Sequence, residues 1–234
     1  VGVEAVFVDT TRFLHNVAAM NQNASPIITY RWIVFALAAA YAFHQIVTSS
    51  YEGAGGPFRY LTNWALFLSL YSAGIMLAYS LQFTRRRRYV TASVAAVLNL
   101  LVVVQYWRLY AIDPGLVTIG EPNHWLLEYY LHLLGPVLQW IDAFFILGAF
   151  RRHRRSLTAL TGIFVSFIVW AEMLVAPLNL YPVGTATSGL PYPFLNNMEF
   201  NERMVFYGMN LLFALAAYVA FAVITSGLRR LFRH

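Results

Sequence analysis

The chain has 234 residues, a net charge of +6 and no cysteine, with 59% hydrophobic and only 11% charged residues. A soluble domain carries about twice that density of charge, so this composition argues against a soluble enzyme domain, and the missing cysteines exclude disulfides and thiolate metal sites. Every basic residue apart from histidine is arginine, and the arginines flank apolar spans, where lipid headgroups rather than nucleic acid are the natural counter-charge.

In chain order, residues 1–26 form an N-terminal arm with a weak apolar pattern: Val3, Val6, Phe7, Phe13, Leu14 and Val17. Such a pattern suits an interfacial helix or an ordered arm, and the stretch lacks the apolar core of a cleavable signal peptide. Six helices are then predicted at 27–49, 58–82, 89–110, 124–150, 157–178 and 203–227. Each is near or above the ~20 residues that a bilayer crossing requires. Pro26 and Pro57 fit first helical turns, and the glycine-rich run 51–56 predicts a tight turn. The segment 111–123 carries the turn signals Asp113-Pro114-Gly115 and Glu121-Pro122. The longest connection, 179–202, holds Pro182, Gly184, Gly189, Pro191 and Pro193, and is expected to cap the bundle. A basic tail, 229–234, follows a transmembrane domain over 27–228. The fold class expected is all-α: a polytopic membrane protein built as a six-helix bundle.

Arginine clusters alternate with these spans. Arg12 and Arg31 precede or open the first, Arg85 to Arg88 join the second and third, and Arg151, Arg152, Arg154 and Arg155 join the fourth and fifth. Arg229, Arg230 and Arg233 follow the sixth. Because arginine is retained on the side from which a chain inserts, both termini are expected on the cytoplasmic or matrix-equivalent side. Helices one, three and five then run outward, and the others return.

That orientation sorts the polar residues by depth. His44, Gln45, Thr62, Asn63, Gln105, Arg108, Glu128, His132 and Glu172 all fall in the outer part of their helices. Burying ionisable groups in a bilayer is expensive, so a shared polar pocket toward the arginine-poor face is the economical expectation. Each residue also has a plain alternative. Arg108 and Glu128 suit headgroup contacts, Thr62 suits a carbonyl one turn back, and Asn63 suits a helix start. Glu172, among Val169, Trp170, Met173 and Leu174, needs a partner. Pro136 removes the backbone hydrogen bond to the carbonyl of His132, leaving an acceptor free beside a titratable ring. Asp142 lies in the inner half and is expected to pair with an arginine reaching up from the inner clusters.

Three segments carry a family resemblance. They are Phe58-Arg59-Tyr60-Leu61-Thr62-Asn63-Trp64, then His132 with Gly135-Pro136 and Asp142, then Pro191-Tyr192-Pro193-Phe194-Leu195-Asn196. In their order they resemble the androgen-induced, ADTRP-like membrane hydrolases and the rolling-stone membrane proteins, both read as six-span folds. Asn196 stands where an acid is common. The resemblance implies a threonine-based hydrolase of esters between fatty acids and hydroxy fatty acids, with Thr62 and His132 as its catalytic pair.

The chemistry is self-consistent, since a threonine hydroxyl needs a nearby base and histidine is one near neutral pH. Asn63 or Arg108 is then expected to meet the oxyanion, and Glu172 or Gln105 to orient the imidazole. The expected function is an integral membrane lipid-ester hydrolase, with membrane lipids as partners and no metal, cofactor or nucleic acid. Two alternatives stand beside it: a non-catalytic accessory or scaffold subunit bound to other membrane subunits, and a haem protein ligated by His44 and His132.

Overall fold

The computed structural model describes residues 24–117, 124–181 and 188–231. Most of the predicted N-terminal arm, the end of the basic tail, and the turn signals at Glu121, Pro122, Pro182 and Gly184 lie outside the described residues. Among the described residues all regular structure is helical. Six long helical runs follow in order: α1 Ser25–Thr48, α2 Leu61–Ser80, α3 Tyr89–Ile112, α4 over 125–146, α5 His153–Leu178 and α6 Phe200–Leu231. All but α4 are long and apolar enough to cross a membrane. The protein is an all-α polytopic membrane protein.

The helix α4 is a composite. Trp125–Tyr129 and Gly135–Ile141 are α-helical, while Tyr130–Leu134 and Asp142–Ile146 are π-turns. Pro136 has no N–H to return to the carbonyl of His132, and the backbone accommodates this by widening the turn. A third π-turn, Ala171–Val175, interrupts α5 just before Pro177. Each of the three holds an ionisable residue, respectively His132, Asp142 and Glu172.

The centre of the bundle is α3. Val94, Ala95, Ala96, Val97 and Leu98 are consecutive and wholly buried, so every face of the helix is covered at this level. Around it pack α2, α4, α5 and α6, while α1 lies outside against α2 and α4. The small side chains of Ala95 and Ala96 let neighbouring backbones approach closely. The exposed residues of α6 include Val205, Met209, Leu212, Val219 and Val223, an apolar face suited to lipid.

Two helix boundaries depart from expectation in ways that matter. The second helix begins at Leu61 rather than 58, because Gly56–Arg59 forms a separate 3-10 turn and Tyr60 is extended. Gly55 and Gly56 both have positive φ, and a Cβ on Gly56 would meet the Tyr51 ring at 2.9 Å. Thr62 is therefore in the first turn of α2, not five residues inside it. The fourth helix stops at Ile146 rather than 150. Gly148 and Phe150 adopt left-handed backbone there, and the fully buried Phe150 gives its N–H to Ser93 Oγ at 2.8 Å.

The arginine segments gather at one end of this bundle. Arg87 donates to the Tyr89 hydroxyl, and the Arg151 guanidinium lies over the same ring at 5.2 Å. Arg229 donates to the carbonyls of Gly148 and Ala149.

Arg31 behaves otherwise. It is 1% exposed and forms a paired contact with Asp142, Nε to Oδ2 at 2.7 Å and Nη2 to Oδ1 at 2.9 Å. Its Nη1 donates to Ser80 Oγ at 2.6 Å and to the Met76 carbonyl at 3.2 Å. The partner of Asp142 is thus Arg31, the arginine that opens the first span. The pair ties α1, α2 and α4 together, and its added hydrogen bonds offset the desolvation of two charges.

Candidate active site

At the end of the bundle opposite the arginine segments, a cavity of about 550 Å³ opens between the helices. Its polar lining includes His44, Arg59, Thr62, Asn63, Gln105, Glu128, His132 and Asn210, and its apolar lining includes Leu101, Leu131, Phe164, Phe167 and Phe206. That size and mixture suit a small organic or lipid ligand.

His132 is the best-fixed group in it. The π-turn and Pro136 leave its carbonyl free, and Trp107 Nε1 fills that vacancy at 2.9 Å. The imidazole stacks on Tyr106 with ring centroids 3.5 Å apart and planes 8° from parallel. Its Nδ1 faces the Glu128 carboxylate at 3.0 Å and the Glu128 carbonyl at 3.1 Å. The Glu128 carbonyl can only accept, so Nδ1 carries the proton of this hydrogen bond and Nε2 is the free ring nitrogen. The Tyr106 phenol bears on the same carboxylate. Glu128 therefore orients the imidazole, a role the sequence had suggested for Glu172 or Gln105.

Those two are otherwise engaged. Glu172 accepts from Arg203 Nε at 2.8 Å, Arg203 Nη2 at 3.1 Å and the Tyr207 hydroxyl at 2.9 Å. It lies behind the cavity wall, which Tyr207 helps to form. Gln105 donates to Asn210 Oδ1 and keeps its own Oε1 buried and unpartnered.

Thr62 reaches the cavity from the first turn of α2. The connection before α6 packs over this turn. Tyr192 accepts the Leu61 N–H at 3.0 Å, and the Thr62 hydroxyl bears on the same phenol oxygen. Burial pushes the Tyr192 phenol above its ordinary range, so it stays neutral. No hydrogen bond among the described residues joins Thr62 to His132. They share a cavity, not a contact.

The covering loop is itself knotted. Asn196 accepts the Leu190 N–H and donates to the carbonyls of Ser188 and Leu190. An acid at this position would lack the two N–H donors, which accounts for asparagine here. Asn179, 1% exposed, binds Ala54 and so fixes this loop to the turn before α2.

Neither expected oxyanion donor is suitably placed. Asn63 turns its amide nitrogen to the Pro57 carbonyl at 2.7 Å, leaving Oδ1, an acceptor, unpartnered. Arg108 is exposed and does not line the cavity. His44 is exposed at the cavity rim and engages Thr48 at 3.2 Å.

Sequence reasoning missed Arg59, Tyr192, Tyr106 and Asn210. A signal existed for Arg59: it interrupts the alternation by standing on the arginine-poor side.

A family described as FAR-17a/AIG1-like protein matches residues 24–226, most of the chain. No curated protein and no solved structure matches it.

Proposed function

The chain belongs to the FAR-17a/AIG1-like family, and on that premise we propose that it is an intramembrane lipid-ester hydrolase. Thr62 is the nucleophile, His132 the general base, and Glu128 the group that orients the base. The observation that carries this reading is the shared cavity: Thr62 and His132 both line it, with Nδ1 of the imidazole held by Glu128.

The reaction runs in two halves. His132 Nε2 takes the Thr62 hydroxyl proton as Oγ1 attacks the ester carbonyl. The tetrahedral intermediate collapses, the bond to the alcohol oxygen breaks, and His132 returns the proton to that oxygen. Water then attacks the acyl-threonine with the same base, releasing a carboxylic acid and free Thr62. In the first turn of α2 the Leu61 N–H gives to Tyr192 and the Asn63 N–H to the Tyr60 carbonyl, which leaves the Thr62 N–H for the oxyanion. Thr62 must leave Tyr192 for His132 as the substrate enters. Esters between fatty acids and hydroxy fatty acids, the substrates implied by the family resemblance, suit the cavity's mixed lining.

We also infer that the arginine-rich end faces the cytoplasm or its equivalent, so the cavity opens toward the opposite leaflet.

The test is labelling of the purified protein with a long-chain fluorophosphonate, together with turnover of a long-chain fluorogenic ester. Thr62→Ala and His132→Ala are each expected to lower turnover by about a thousandfold or more, with labelling abolished in Thr62→Ala. Undiminished turnover in a folded Thr62→Ala protein would exclude Thr62 as the nucleophile, and a wild type with neither turnover nor labelling would leave an accessory-subunit role.

A further inference from the structure

Among the described residues, Arg59 is a cation without a counter-ion. It is 6% exposed and lines the cavity, and neither its Nε nor its Nη1 has a hydrogen-bond partner among those residues. Among the described residues, the other buried arginine, Arg31, is saturated by Asp142, Ser80 and Met76. Among the described residues, the one carboxylate that lines the same cavity, Glu128, is engaged by His132. A guanidinium removed from water and left unpaired is costly, and long basic side chains usually escape that cost by reaching the interface. Burial denies Arg59 that route.

The side chain is also held in place. The turn Gly56–Arg59 has its carbonyls clamped: Pro57 O accepts from Asn63, and Phe58 O from the indoles of Trp64 and Trp170. The Arg59 guanidinium carbon lies 5.1 Å from the centre of the Tyr60 ring. A fixed planar fork that lines a cavity and carries unpartnered N–H groups is the arrangement that receives an anionic oxygen group.

We propose that Arg59 binds the anionic end of a lipid lying in this cavity, either a carboxylate or a phosphate monoester. The proposal rests on the hydrolase reading only for its consequence, which is that Arg59 selects esters bearing a free anionic end. Binding itself requires no chemistry at Thr62.

Binding of radiolabelled palmitate, hexadecyl phosphate and hexadecanol to the purified chain in neutral detergent tests it. The same chain length in all three isolates the end group. Wild type and Thr62→Ala are expected to favour an anion over hexadecanol by about tenfold or more, the usual worth of a charge-assisted hydrogen bond. Arg59→Met should lose that preference and Arg59→Lys should keep part of it, while the exposed Arg108→Met control should retain it. Preference for palmitate assigns the site to a fatty-acid end, and preference for hexadecyl phosphate assigns it to a phospholipid-derived end. Equal binding of hexadecanol by the wild type overturns the proposal, and that measurement stands even if Arg59→Met does not fold. An unchanged preference in folded Arg59→Met overturns it as well. Loss of turnover without loss of anion preference in Thr62→Ala separates this site from the catalytic reading.

Discussion

Nδ1 of His132 lies 3.0 Å from the Glu128 carboxylate, one helical turn earlier on α4. The i, i+4 spacing alone would bring the two side chains to the same face. The π-turn and the Tyr106 stack complete the arrangement by fixing where the ring points. If His132 is the base, Glu128→Gln keeps the shape and removes the charge that stabilises the imidazolium. It is expected to lower kcat by about 10²–10⁴-fold with little change in KM. Kinetics on a fluorogenic ester check this, and a KM-only effect would reassign Glu128 to substrate binding.

Arg31 and Asp142 form a buried pair with no place in the proposed chemistry. Removing one partner strands the other charge, so Arg31→Met and Asp142→Leu are each expected to cost about 3–5 kcal/mol. The double variant should recover most of that loss. Thermal unfolding of the detergent-solubilised protein measures all three. Equal destabilisation by the double variant would show that Ser80 and Met76, not Asp142, are the important partners of Arg31.

Gly135 sits directly after the π-turn, where a Cβ would meet the Tyr130 carbonyl oxygen at 2.9 Å. Backbone must shift to admit it. Gly135→Ala is expected to cost about 1–3 kcal/mol and to displace His132. The thermal midpoint and the turnover number should fall together. A stable but inactive variant would show that the turn serves the site more than the fold.

Sidedness can be read directly because the chain has no cysteine. Asn197→Cys lies at the cavity end and Arg85→Cys at the arginine end, both exposed. A membrane-impermeant maleimide added to sealed vesicles whose lumen corresponds to the cytoplasmic or matrix-equivalent side should label the first, and should label the second only after permeabilisation. The reverse pattern would invert the proposed topology.

Hydropathy and arginine placement determined the helical spans and the end at which Arg87, Arg151 and Arg229 gather. Both signals arise from the cost of moving charge and unpaired backbone through hydrocarbon, and that cost acts on each residue wherever its neighbours are. Residue chemistry also marked Thr62 and His132 and the carbonyl that Pro136 frees. Partner choice was decided only in three dimensions. Asp142 meets Arg31 across 111 positions, and Glu172 meets Arg203 across 31. Nothing local in the sequence encodes either distance, because helix packing angles and π-turns set which faces meet. The same holds for Arg59. In sequence it is one arginine on the arginine-poor side. The tertiary structure turns it into a buried cation with no partner among the described residues, because the 3-10 turn that holds it and the cavity wall around it come from different parts of the chain.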